Sequence, residues 1–189
     1  MKVLIPILVM LVLSCAPKVR EVGKVCPSPS ELFSLYAYRN VPPNFKVYGK
    51  LKYGPLRLPF MFAKSEGEYT LRVAKVGKLE VFEDRFCLKD KCYLLPAPPE
   101  NLIFGKILAG DETLSCKENL VYLTHKGEVY TRTVVLEGRK AKEMILYNPR
   151  KNRTAKVIFG KEDPKGFFRS IQLYSEGNEL TISIEEVRL

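Results

Sequence analysis

The feature that most limits the fold is alternation of apolar and polar residues, broken at short intervals by turn-forming residues. Phe45, Val47, Gly49 and Leu51 alternate with Lys46, Tyr48, Lys50 and Lys52. After Tyr53-Gly54-Pro55, Leu56, Leu58, Phe60 and Phe62 alternate with Arg57, Pro59, Met61 and Ala63. After Ser65-Glu66-Gly67-Glu68, Tyr69, Leu71 and Val73 alternate with Thr70 and Arg72; Leu79 and Val81 follow Val76-Gly77. A period of two sends neighbouring side chains to opposite faces, and turns this close together join antiparallel neighbours.

The pattern continues over about 113–116, 120–125, 129–136, 140–148, 154–160, 167–174 and 180–187. Two segments break it. Ser28-Pro29-Ser30-Glu31 has capping-box spacing with Pro at the first helical position, and Leu32, Leu35, Tyr36 and Arg39 then share a face. That predicts a helix of about three turns, stopped by Val41-Pro42-Pro43. Glu100 to Ala109 is apolar and predicts a second helix capped by Gly110, although Gly105 weakens it. The reading is a mainly β, α+β chain: a curved antiparallel sheet forming an incomplete half-barrel of about 11–13 strands, covered by two or three short helices.

The N-terminus sets the compartment. Lys2 precedes an apolar run from Val3 to Leu13, broken only by Pro6, which is too short to span a bilayer and suits a signal-peptide core. Val12-Leu13-Ser14-Cys15 resembles a bacterial lipobox, in which cleavage precedes an acylated Cys. The expected division is a signal peptide over 1–14, a lipidated Cys15 with its tether over 15–29, and one domain over 30–189. The resemblance also implies an outer-membrane destination, since Ala16 replaces the Asp that retains such proteins in the inner membrane.

Export narrows the meaning of the charge. The 189 residues carry 31 Lys+Arg against 21 Asp+Glu, a formal +10. A basic chain commonly meets nucleic acid, but an exported one does not, and no aromatic-interleaved recognition pattern is present. Anionic lipid headgroups or acidic partners are the expected counterparts, beside a plainly solvated Lys-rich exterior.

Beyond Cys15, Cys26, Cys87, Cys92 and Cys116 make an even number for an oxidising compartment. A two-residue turn at Lys89-Asp90 makes Cys87 and Cys92 a directly opposed cross-strand pair, leaving Cys26 for Cys116. A Cys116–His125 nucleophile pair is the one catalytic alternative, and structural cystine is the reading preferred over it. The chain has one His, no G-x-S-x-G, Walker, HExxH or EF-hand pattern, and adjacent rather than convergent acidic pairs. No enzyme activity, cofactor or metal site is expected.

An incomplete barrel must cover its apolar inner face. Alternation assigns Phe45, Val47, Leu58, Phe60, Phe62 and Leu71 to that face, and Leu102, Phe104, Ile107 and Leu108 to a helical lid over it. A cavity so built suits acyl chains, which need apolar area and few directional contacts.

The order of elements over 30–189 resembles the LolA/LolB-type lipoprotein-carrier superfamily: an N-terminal helix, a meander, a short apolar helical insert, then further hairpins. Lys46 to Lys52 with central Gly49 is similar to that family's first strand, Leu102 to Gly110 to its helical insert, and Phe168 to Val187 to its terminal hairpin. The lipobox Cys15 is shared with the LolB type. The resemblance implies a monomeric, lipid-anchored envelope protein on the periplasmic face of the outer membrane. It would take acyl chains of lipoproteins, or another lipid, in its cavity and help localise them. A periplasmic lipoprotein carrier is then a possible partner. By position Val76, in Lys75-Val76-Gly77, matches the family's membrane-insertion loop. The competing reading is a structural or interaction lipoprotein of the same fold with no transport ligand.

Overall fold

The computed structural model describes residues 26–38, 41–82, 84–88 and 91–189. The expected signal peptide, Cys15 and most of the tether lie outside the described residues. Helix α1 spans Pro29–Tyr36 and is followed by strands β1 (Phe45–Tyr53), β2 (Leu56–Ser65), β3 (Glu68–Val73), β4 (Gly77–Val81), β5 (Arg85–Leu88) and β6 (Lys91–Leu94). Helix α2 (Pro99–Ile103) separates these from β7 (Thr113–Lys117), β8 (Leu120–Lys126), β9 (Thr131–Glu137) and β10 (Lys140–Asn148). The last strands are β11 (Arg153–Phe159), β12 (Ser170–Ser175) and β13 (Asn178–Arg188).

All 13 strands form one antiparallel sheet in the order β6-β5-β4-β3-β2-β1-β13-β12-β11-β10-β9-β8-β7. Two meanders are therefore joined where the first strand pairs with the last. Strands β6 and β7 end the order without pairing to each other, so the sheet curls without closing, as a half-barrel does.

The junction has a local device. Tyr48 pairs with Glu186 but Gly49 pairs with Ile184, so Glu185 is an extra residue on β13. The bulge brings the β13 backbone onto Gly49: a Cβ there would overlap the Ser183 carbonyl oxygen and stand 2.9 Å from Phe60 Cε1. Only glycine tolerates that approach, and the bulge sharpens the bend of the sheet where its halves meet.

Both helices are shorter than the sequence predicts. In α1 the Ser28 hydroxyl accepts from Glu31 N at 3.3 Å, and Leu32 and Tyr36 are buried. The helix ends after eight residues because Ala37 turns extended and forms a parallel bridge with Leu108. Leu108 N donates to Tyr36 O at 2.8 Å, and Tyr38 N to Leu108 O at 2.9 Å. Helix α2 stops at Ile103 rather than Ala109. Gly105 sits at φ +62°, Lys106 N donates to Asn101 O at 2.9 Å, and the Asn101 side chain donates to Lys106 O at 2.6 Å. Ile107 and Leu108 are thus extended chain. The strand expected from Phe167 begins instead at Ser170, because Phe168 N donates to Ile103 O at 2.9 Å and ties the 160–169 loop to α2.

Two disulfides are present. Cys87–Cys92 joins directly opposed residues of the β5–β6 hairpin with Cα atoms 4.0 Å apart. Cys26–Cys116, with Cα atoms 6.0 Å apart, pins the start of the described chain to edge strand β7 across 90 residues.

Candidate ligand cavity under helix α2

Register decides which side chains meet. Val47 opposes Phe62, Phe62 opposes Leu71, and Leu71 opposes Leu79, so one face of β1–β4 is continuously apolar. Leu51 opposes Ile182, Ile182 opposes Ile171, and Leu173 opposes Leu180, so the same face continues across β13 and β12. Curling brings the two stretches together around a cavity of about 80 Å³. Eight strands contribute to its wall, from Phe86 on β5 round to Val157 on β11, and Pro99, Leu102 and Ile103 of α2 lie over it. Every one of its fifteen lining residues is Leu, Ile, Val, Phe or Pro. Leu51, Leu71, Val81, Pro99 and Ile182 are only half-buried, and there the cavity opens.

Of the residues assigned to the cavity from sequence, Phe60, Phe62, Leu71 and Leu102 stand on its wall. Phe45, Val47, Phe104, Ile107 and Leu108 are packed core beside it: Phe45 and Phe104 meet edge-on at 5.1 Å, and Val47, Ile107 and Leu108 are fully buried. Leu58 is half-buried against that core. The lid expectation placed four residues on one long helix; the chain leaves helical geometry at Gly105, which faces the Phe168 ring so closely that a Cβ would come within 2.7 Å of it. Val76 is half-buried against the core in the three-residue turn between β3 and β4.

Three features were not read from the sequence. First, β11 to β13 supply a third of the wall through Val157, Ile171, Leu173, Leu180 and Ile182. The same alternation test would have found them. Second, α2 is held by a polar latch. Glu100 is buried, and its Oε1 lies 2.6 Å from Lys64 Nζ and 2.8 Å from the Tyr69 hydroxyl. Lys64 and Tyr69 are cross-strand partners, and Lys64 occupies an inward position opposite Phe45. A lysine on the apolar face was the available signal. Third, Tyr93 on β6 stacks on Phe86 at 4.9 Å and meets Tyr53 on β1 edge-on at 6.4 Å. The β5–β6 hairpin is thereby folded over one end of the concave face. Burial pushes the Tyr93 hydroxyl up to about 12, with the neighbouring Tyr53 hydroxyl acting in the same direction.

Polar clusters elsewhere explain local structure. Arg132 donates to Tyr38 Oη at 2.6 Å and to Glu112 Oε1 at 2.7 Å, while Glu112 accepts from the Ala109 and Gly110 amides. His125 Nδ1 stands 2.9 Å from Asp111 Oδ2, and Cys116 is in a disulfide, so the two form no nucleophile pair. Among the described residues no group of three metal-ligating side chains occurs, and no helix is long and apolar enough to cross a membrane.

No protein-family model matches this chain, and no curated protein matches it. Among solved structures, one from Vibrio parahaemolyticus, described as a "putative outer membrane lipoprotein-sorting protein domain", aligns over 77% of this chain and 84% of its own at 10% identity, with a TM-score of 0.40. A likeness of that size says nothing of activity.

Proposed function

We propose that the protein is a lipid-anchored envelope carrier that binds acyl chains, on lipoproteins or another lipid, beneath α2 and helps place them at the outer membrane. The observation that carries this reading is the all-carbon wall: a cavity without a directing polar group selects for apolar area alone, at about 0.8 kcal/mol per buried methylene. No bond is made or broken; Cys15 is the proposed membrane anchor and Val76 a membrane contact of the β3–β4 turn.

At about 80 Å³, counted as space open to the centre of a water-sized sphere, the cavity holds on the order of six small groups. A long acyl chain therefore requires α2 to move, and the buried Lys64–Glu100 pair is the restraint that must give. The same small volume favours the second reading, a structural lipoprotein with a filled interior.

Native mass spectrometry of the purified protein, with and without a fatty-acyl probe, separates them. The carrier reading expects retained lipid or probe that is lost in Leu71→Glu, a change at the half-buried rim. A clean apo mass with no uptake would overturn it and leave the structural reading.

A further inference from the structure

Charge on the outer face is concentrated. Between Phe45 and Val81 there are eight Lys and Arg and three Glu, so this stretch holds 8 − 3 = +5 of the chain's +10. Lys64 points inward to Glu100, and Lys50 pairs with Glu185 at 2.6 Å. Lys52, Arg57, Arg72, Lys75 and Lys78 are exposed, and no ion pair to any of them is found among the described residues. Glu66 and Glu68 sit at the opposite end of the β2–β3 hairpin, and Glu80, exposed on the same face of β4 two residues from Lys78, is an acid close to the cluster.

Register makes this arrangement costly. Lys52 stands directly opposite Arg57, and Arg72 directly opposite Lys78. Like charges so paired oppose sheet formation. All five surround the tips of two hairpins, β1–β2 and β3–β4, on one rim of the half-barrel. At the first tip Leu56 is 55% exposed, beside Pro55.

We propose that these two hairpin tips are a docking surface for the anionic headgroups of a lipid bilayer. The cations complement a negative membrane surface, and Leu56 can enter its interfacial layer. Lipid headgroups are mobile counter-charges, which suits long unpaired side chains flanking turns; a fixed acidic protein face would call for cations already held in place. The site stands apart from any anchor before Cys26, because Cys26 is bonded to Cys116 at the opposite rim on β7. It deepens the membrane contact proposed above for Val76 in the β3–β4 turn, and it does not depend on the cavity holding a lipid.

The test is co-sedimentation of the full chain with vesicles of phosphatidylcholine alone and of phosphatidylcholine with about a third phosphatidylglycerol. The apolar contribution of the N-terminal residues is common to both vesicles and the cationic contribution of Lys18, Arg20 and Lys24 is common to every variant, so the readout is the ratio of the two affinities and its change from the unaltered chain to each variant. The expected ratio is well above one at about 0.1 M salt and collapses near 1 M, where screening shortens from about 10 Å to about 3 Å. Each cation removed is expected to lower it about fivefold. Lys52→Gln with Arg57→Gln should therefore lose more than tenfold, as should Arg72→Gln with Lys78→Gln. Lys140→Gln with Lys161→Gln, exposed elsewhere, should change nothing.

Circular dichroism and thermal melts check that each variant folds, so that a loss of binding is read only from folded protein. A ratio near one at low salt, or a ratio that both tip pairs leave unchanged, overturns the proposal. So does binding to poly-glutamate without preference for anionic vesicles, which would assign the surface to an acidic protein.

Discussion

Lys64 Nζ and Glu100 Oε1 stand 2.6 Å apart, with side chains 21% and 6% exposed, and connect the end of β2 to the first turn of the helix over the cavity. The Tyr69 hydroxyl donates to both Glu100 oxygens at 2.8 and 2.9 Å. Removing the carboxylate leaves a largely covered ammonium without its partner. Glu100→Ala is expected to cost about 2 kcal/mol in denaturant unfolding. If α2 is the gate, it should also raise the rate of acyl-probe uptake; slower uptake, or no change, would remove α2 from that role.

The two disulfides should differ in worth. A chain-entropy estimate gives about 4–5 kcal/mol for the bridge spanning 90 residues and about half that for the bridge spanning five. Cys26→Ser with Cys116→Ser should therefore lower the melting temperature roughly twice as far as Cys87→Ser with Cys92→Ser. Equal losses would show that the N-terminal staple does not act through the unfolded chain.

Gly49→Ala tests the bulge. The added methyl must displace the Ser183 carbonyl or the Phe60 ring, so a loss of about 1–3 kcal/mol is expected. Gly54→Ala is the comparison: nothing lies within 4 Å of its Cβ, but its φ of +55° carries a backbone penalty near 1 kcal/mol. A Gly49 variant as stable as the parent would mean that β13 can slide.

Alkaline stability follows from Tyr93. Its hydroxyl is raised from the usual 10.0 to about 12 by burial, then by Tyr53. The native state thus keeps a proton that the unfolded chain gives up. The stabilising contribution is complete below pH 10.0 and is lost as pH rises toward about 12. Burial raises Tyr36 and Tyr38 in the same sense. Unfolding followed from pH 8 to 12 should show the fall, and Tyr93→Phe should make it shallower; a parallel curve would assign the effect to other groups.

How much was legible depended on the range of the interaction involved. Alternation from Phe45 to Val73 determined which residues face inward, since in a strand the face follows from parity alone. The Cys87–Cys92 pair was legible because a two-residue turn sets its register. Helix α2 was overextended because Leu102 to Leu108 is apolar throughout, and composition alone does not separate buried helix from buried extended chain. The helix ends at the left-handed turn of Gly105, closed by the Asn101–Lys106 hydrogen bonds, and the Tyr36–Leu108 backbone pairing, between residues far apart in sequence, holds the chain beyond it extended.

The sequence by itself thus determined the class of fold and the inward set of the strands from Phe45 to Val73. Both rest on local periodicity and on residues close in the chain. Only the tertiary structure decided which apolar residues are wall and which are core. It did so by joining β1 to β13, which brings Phe62 and Leu173 to one cavity while Val47 and Leu108 are packed solid. Curvature of a 13-stranded sheet sums small twists and one bulge over its whole width, and no local stretch of sequence carries that sum.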